Sequence, residues 1–228
     1  MTVIKNTGLR AALKILIPFV IIPAAAVSGV LIFDKNKHLI VSFAVALFSL
    51  LLFYTGFEKK ATGTRRMVIV AIMTAISVLG RFIPFFKPIT AITVITAMYL
   101  GSEAGFLVGS LSALISNFYF GQGPWTAFQM LSWGLIGWIA GVIAEKLKKS
   151  RILLYVFGVL SGVAFSLIMD VWTVLWYNSG FDLKLYIVSI TAAIPHTILY
   201  AVSNVLFLYF LAGPFGEKLE RIRIKYGI

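Results

Sequence analysis

The sequence predicts an all-α fold, a polytopic membrane helical bundle, and three observations carry that prediction. Hydrophobic residues make up 60% of the 228 residues and charged residues only 12%, against roughly 25% charged in soluble domains. The apolar residues fall into long runs bounded by charges, Gly and Pro, each near the roughly 20 residues that cross a bilayer. The net charge of +12 comes from bases gathered at the ends of those runs, a topology pattern. So few charges cannot cover a soluble body of this size, which excludes a soluble enzyme or a nucleic-acid module.

Eight segments follow in order: Leu13 to Phe33, Leu39 to Phe57, Met67 to Phe86, Ile89 to Leu100, Ala104 to Phe120, Trp125 to Ile143, Ile152 to Tyr177 and Leu183 to Leu211. The first has Lys5, Arg10 and Lys14 before or inside it but is too apolar for too long to be a signal peptide. The fourth, between Pro88 and Gly101, is too short to span unaided and is expected to be tilted or broken and buried among its neighbours. Counting Lys and Arg on alternate sides of eight spans gives 15 against 5, so both termini are expected in the cytoplasm.

Small residues recur every fourth position at Gly105, Gly109 and Ala113, at Gly158, Gly162 and Ser166, and at Gly137 and Gly141. They form stripes where helix backbones can approach closely. Two of the stripes lead to polar residues, Asn117 and Asp170. Asp170 lies 18 residues into its segment, about 27 Å along the helix at roughly 1.5 Å per residue, near the outer boundary. An ion pair with Arg81 and contact with a ligand are both open for it.

Three outer loops are rich in aromatic and polar groups. They are Gly80 to Pro88, with Arg81; Asn117 to Trp125, with Tyr119 and Gln122, continued along the next helix by Gln129 and Trp133; and the stretch after Asp170, with Trp172 and Trp176. An interfacial belt explains the aromatic rings. It does not explain the amides, whereas a ligand pocket combines apolar walls with a few placed hydrogen-bonding groups. The outer mouth is the candidate binding site.

Catalysis has little to work with. There is no cysteine, the two histidines His38 and His196 are far apart, and no GxxxxGK[ST] occurs, so no metal set and no catalytic residue is expected, and ATP-driven work needs another subunit. His196, after Pro195, is expected to hydrogen-bond at a kink. An intramembrane hydrolase would need a buried dyad that the sequence does not offer.

From Arg66 onward the chain resembles the substrate-binding S component of energy-coupling factor (ECF) transporters. The resemblance rests on Ala71-Ile72-Met73-Thr74-Ala75, on Gly80-Arg81-Phe82 followed by Lys87-Pro88, on Ser116-Asn117 through Phe120-Gly121-Gln122-Gly123-Pro124-Trp125 to Gln129-Met130, and on Met169-Asp170 with Trp172. The FGQGPW stretch is similar to the branch associated with cobalamin uptake. The resemblance implies a six-helix core over residues 66–228, with residues 1–65 adding a pair of transmembrane helices. It implies capture of a vitamin from outside, with cobalamin as the expected transported ligand and other vitamins or nucleobase-like compounds as competitors. It also implies a transmembrane coupling protein and two cytoplasmic ATPases as partners, with Ala71 and Ala75 at the partner contact, and a bundle that topples to release its substrate inside.

Overall fold

The computed structural model describes residues 6–31, 38–56 and 60–227, with side chains from Thr64 onward in the last stretch. The bases Lys5, Lys35, Lys37 and Lys59 and the segment ends Phe33 and Phe57 lie outside the described residues, as does the side chain of Lys60. The described residues form helices and turns with no strand: α1 Thr7–Leu31, α2 His38–Thr55, α3 Lys60–Gly80, α4 Ile89–Leu100, α5 Ser102–Phe120, α6 Trp125–Val142, α7 Ala144–Lys149, α8 Arg151–Asn178 and α9 Leu183–Tyr226. This is the polytopic helical bundle that composition and periodicity predict.

Local chemistry sets the helix ends. Asn6, Ser150 and Asp182 cap α1, α8 and α9 by accepting from the amides of Leu9, Leu153 and Leu185. Inside α1, Pro18 removes one amide donor, and the helix widens into a π-turn over Ile17–Ile21. α3 stops at Gly80, where a Cβ would stand 2.2 Å from the Pro88 ring. That absence lets the 81–88 turn fold back over the helix end, so the predicted third segment is helical to Gly80 and not to Phe86. α9 runs 44 residues to Tyr226, past the expected end at Leu211. The apolar run ends there, but the helix continues through Gly213, Pro214 and Gly216 into residues 217–223, a stretch rich in good helix formers, and Leu219 is buried.

Four helices, α1, α2, α8 and α9, are long and apolar enough to cross a membrane on length and composition alone. The short α4 has 11 of its 12 residues buried, as expected of a helix that lipid never touches. α5 and α6 are also mostly buried, and because they face protein they can hold Ser, Thr, Asn and Gln among their apolar residues. Lone hydroxyls fold back onto their own helix, as Ser49 does to the Val45 carbonyl, Thr96 to Ile92 and Ser132 to Phe128. Large apolar side chains such as Phe43, Leu47, Val68, Leu79, Ile152 and Phe210 lie exposed on the outside, the arrangement a lipid solvent imposes.

Two antiparallel glycine seams organise the interior. In the first, a Cβ on Gly105 would meet the Gly137 carbonyl at 2.9 Å, and one on Gly109 the Trp133 carbonyl at 2.5 Å, so α5 and α6 touch backbone to backbone. Across it Ser110 donates to the Met130 carbonyl at 2.9 Å. In the second, Gly162 of α8 faces the Ala201 amide of α9, and Asn204 donates to the Gly158 carbonyl at 3.0 Å. The α1–α2 pair packs on α5, α6 and α8, with Phe19 edge-on to Trp138 and Phe43 against Phe118.

Bases collect at one end of the bundle. There the buried Glu103 carboxylate pairs with Lys14 of α1 and lies 3.7 Å from Arg66 of α3, and Arg66 also donates to the Gly56 and Leu100 carbonyls. Arg10 reaches the Thr55 carbonyl at the same end. The α1–α2 pair is thereby tied to α3 and α5 through charge as well as apolar packing.

Because the α5–α6 seam has no room for a side chain, Gly109→Leu is expected to destabilise the bundle by about 1–3 kcal/mol or more. Thermal unfolding in a single detergent checks this, with Gly180→Ala, in open space, as the neutral reference.

Candidate solute-binding site

The close α5–α6 seam brings Asn117, near the end of α5, against the start of α6. Its side-chain amide donates to Gln129 Oε1 at 2.8 Å and to Thr126 Oγ1 at 2.9 Å. Its carbonyl oxygen accepts from Arg81 Nη1 at 2.6 Å, and the same guanidinium nitrogen donates to Ser116 Oγ. Thr126 in turn donates to Gln122 Oε1 at 3.0 Å, and Gln122 Nε2 donates to the Leu114 carbonyl at 2.8 Å. One polar chain therefore runs from the 81–88 turn through α5 to the 121–124 loop.

Of the two roles open for Asp170, the ion pair with Arg81 does not form among the described residues. The 81–88 turn carries Arg81 toward α5, where Ser116, Asn117 and the ring faces of Phe120 and Trp133, with centroids at 4.9 and 5.8 Å, receive the guanidinium. Lys87 braces the turn by donating to the Arg81 and Ile83 carbonyls at 2.7 and 2.6 Å, while Ser203 of α9 holds its backbone. Burial first, and the Arg81 charge second, lower the Lys87 pKa from its ordinary value.

Beneath this turn lies a cavity of about 240 Å³. Its aromatic wall is Trp133, stacked on Phe165 at 4.7 Å and 23°, with Tyr200 edge-on to Phe165 at 5.1 Å. Its polar groups are Arg81, Lys87, Thr90, Gln129, His196 and Asn204. The backbone of Gly162 forms part of the floor, so the α8–α9 seam also shapes the cavity. A planar aromatic solute would find rings to stack on and donors and acceptors at its edge.

Of the residues singled out from sequence, Arg81, Gln129 and Trp133 line this cavity. Asn117 lies behind it, fully buried, and orients Arg81 and Gln129. Gln122 closes its own loop and does not line the cavity. Tyr119 is exposed and packs on Phe82 and Phe120. Trp125, Trp172 and Trp176 form a separate aromatic row, with centroid distances of 5.9 and 6.4 Å. Asp170 is buried, and its Oδ2 has no hydrogen-bond partner among the described residues. His196, expected at a kink, faces the cavity from an α9 that continues through Pro195.

Sequence reasoning missed Thr90, Phe165, Tyr200 and Asn204. The last two were within reach, since His196, Tyr200 and Asn204 stand four apart and make one polar stripe on an apolar helix.

This geometry defines a class: a multi-pass membrane bundle holding a small aromatic-walled solute cavity near one membrane face. A family model described as ECF-type riboflavin transporter, S component, matches residues 61–213. The chain belongs to that family and is the substrate-specific membrane subunit of an ECF transporter, whose S components associate with a module of transmembrane and ATPase subunits. The match runs from α3 into α9 and leaves out α1, α2 and the end of α9. No curated protein and no solved structure matches the chain.

The hydrogen-bond order predicts unequal effects of two amide deletions. Asn117→Ala removes one hydrogen-bond partner each from Arg81, Thr126 and Gln129 inside the bundle and should cost about 1–3 kcal/mol of stability, whereas Gln122→Ala, at a partly exposed position, should cost about 0.5–1.5 kcal/mol. Thermal unfolding of both variants side by side is the check.

Proposed function

We propose that this chain captures a flavin, riboflavin or a close analogue, from the outer side of the membrane and hands it to ATP-hydrolysing partners for uptake. The observation that carries the reading is the cavity itself, with Trp133 and Phe165 stacked beside Arg81 and Gln129. The description of the matching family supports it. A cavity of about 240 Å³ lies just below the usual range of ligand pockets, roughly 300–1,000 Å³, which suits one fused-ring system better than a corrin macrocycle with its nucleotide tail. The FGQGPW stretch that suggested cobalamin contributes no residue to the cavity wall.

Fluorescence titration of the purified subunit tests the reading. Riboflavin emission should be quenched on stacking and saturate at one equivalent; retention of a corrinoid with no response to riboflavin overturns the proposal. Trp133→Ala should weaken binding by about 1–3 kcal/mol and Gln129→Ala by about 1 kcal/mol.

Ala71 and Ala75 are exposed on α3 beside exposed Val68 and Ile72, so they do not pack inside the bundle. The α1–α2 pair sits on α5, α6 and α8 and leaves this face open. The small side chains allow another backbone to come close, which supports this face as the contact with the coupling protein that joins two cytoplasmic ATPases. Ala71→Trp and Ala75→Trp are expected to abolish co-purification and ATP-driven uptake while flavin affinity stays within about twofold, because neither residue lines the cavity.

The gathering of Lys14, Arg66, Lys148, Arg151 and Arg223 at one end supports cytoplasmic termini under the positive-inside rule. In this cysteine-free chain a cysteine at Ser179 should label with an impermeant reagent on intact cells and one at Ser150 should not.

A further inference from the structure

A second hollow, of about 590 Å³, opens at the basic end of the bundle, away from the solute cavity. The junction of α7 and α8 supplies Lys148 and Arg151 to its wall, and the last turns of α9 supply Arg221 and Arg223. Leu147, Leu154 and Ala212, all buried, form an apolar floor. Two glycines of α9 border the hollow where neighbouring side chains come close. A Cβ on Gly213 would stand 3.5 Å from the Arg151 guanidinium, and one on Gly216 would collide with the Tyr99 hydroxyl at 2.4 Å.

Its charges do not cancel. Glu145 pairs with Lys148 at 3.1 Å and Glu220 with Arg223 at 3.3 Å. Arg151 and Arg221 have no ion-pair or hydrogen-bond partner among the described residues, and only Glu217 remains to offset them. Two guanidinium groups on facing helices are thus left over a water-accessible opening. Arginine is the side chain whose planar fork matches phosphate oxygens in pairs.

Depth identifies what would occupy such a place. Arg151 is the first residue of α8, and the next, the apolar Ile152, is 76% exposed. Ala212 stands where the apolar run of α9 ends. The charged half of the hollow therefore lies at headgroup level and the apolar floor at the start of the acyl chains. A soluble anion would leave that floor uncovered. We infer that this hollow binds one anionic phospholipid, with the phosphodiester between Arg151 and Arg221 and the upper acyl chains over Leu154 and Ala212. Arg221 and Arg223 lie beyond the residues matched by the family model, so the site depends on the extended end of α9 in this chain. Basic pockets between helices on the cytoplasmic side are suited to anionic headgroups.

Native mass spectrometry of the full chain, released from bilayers of mixed phosphatidylcholine and phosphatidylglycerol, tests the site. The wild type should retain one phosphatidylglycerol in preference to phosphatidylcholine. Arg151→Gln with Arg221→Gln should lower that retention roughly tenfold. Lys146→Gln with Lys149→Gln removes the same charge from exposed neighbours that do not line the hollow, and should change retention less than about twofold. Glu217→Gln should raise retention. No preference in the wild type, or equal losses in the two double variants, overturns the site in favour of diffuse attraction. Displacement of the lipid by millimolar inorganic phosphate overturns the lipid assignment and leaves a free-anion site. If the double arginine variant is not monodisperse, Glu217→Gln decides alone, and unchanged retention in it overturns the inference.

Discussion

The backbone-to-backbone approach of α5 and α6 governs the geometry of the solute cavity and of the polar chain behind it. Gly105, Gly109 and Gly137 bring the two helices so close that Asn117 can bond Gln129 and Thr126 across the seam. With its amide committed to α6, the Asn117 carbonyl oxygen is aimed at the 81–88 turn and takes the Arg81 guanidinium. Arg81 then lies against Trp133, and the cavity has both its donor and its wall. A wider seam would break this sequence at its first step, because an amide reaches only about 3 Å to a partner.

Lipid as solvent explains the distribution of polarity. No water is available in the hydrocarbon to satisfy a polar group, so each one turns inward, bonds its own helix or sits at a membrane face. This is why the least lipid-exposed helices, α4 to α6, carry hydroxyls and amides, while the outer faces of α1, α2, α8 and α9 carry large aliphatic and aromatic side chains. The same logic accounts for Glu103. A carboxylate at a helix start inside the bundle persists because Lys14 and Arg66 approach it from two other helices, and removal of one partner from such a group costs far more than an exposed ion pair contributes.

The site was legible in proportion to how local its signals are. Arg81, Gln129 and Trp133 stood out because a cation and an amide beside aromatic rings are unusual at the end of an apolar segment. Tyr119, Trp125, Trp172 and Trp176 stood out for the same composition, yet they face the surface or one another. Which way a ring points depends on helix rotation, and an aromatic cluster at the boundary reads alike for a belt and for a pocket. Phe165 and Thr90 gave no signal at all, being ordinary residues in apolar helices that meet only when α4 and α8 pack.

Composition and run length were enough to establish a membrane bundle, the order of its long helices though not the short α7, and the burial of the short α4, because transfer of a segment into lipid depends on side chains summed along the chain and not on their partners. The glycine stripes likewise announced close helix contacts, since a missing side chain constrains any neighbour. Helix limits at Gly80 and Tyr226 were not visible that way: hydropathy marks where lipid ends, whereas a helix continues until its backbone bonding is interrupted. The partners of Arg81 and Asp170 were also undecided, because segment length puts both toward the same end of the bundle and charge alone favours pairing them. Packing resolved it, as the turn after α3 folds toward α5 and gives Arg81 an amide oxygen, a hydroxyl and two ring faces in place of the carboxylate on α8.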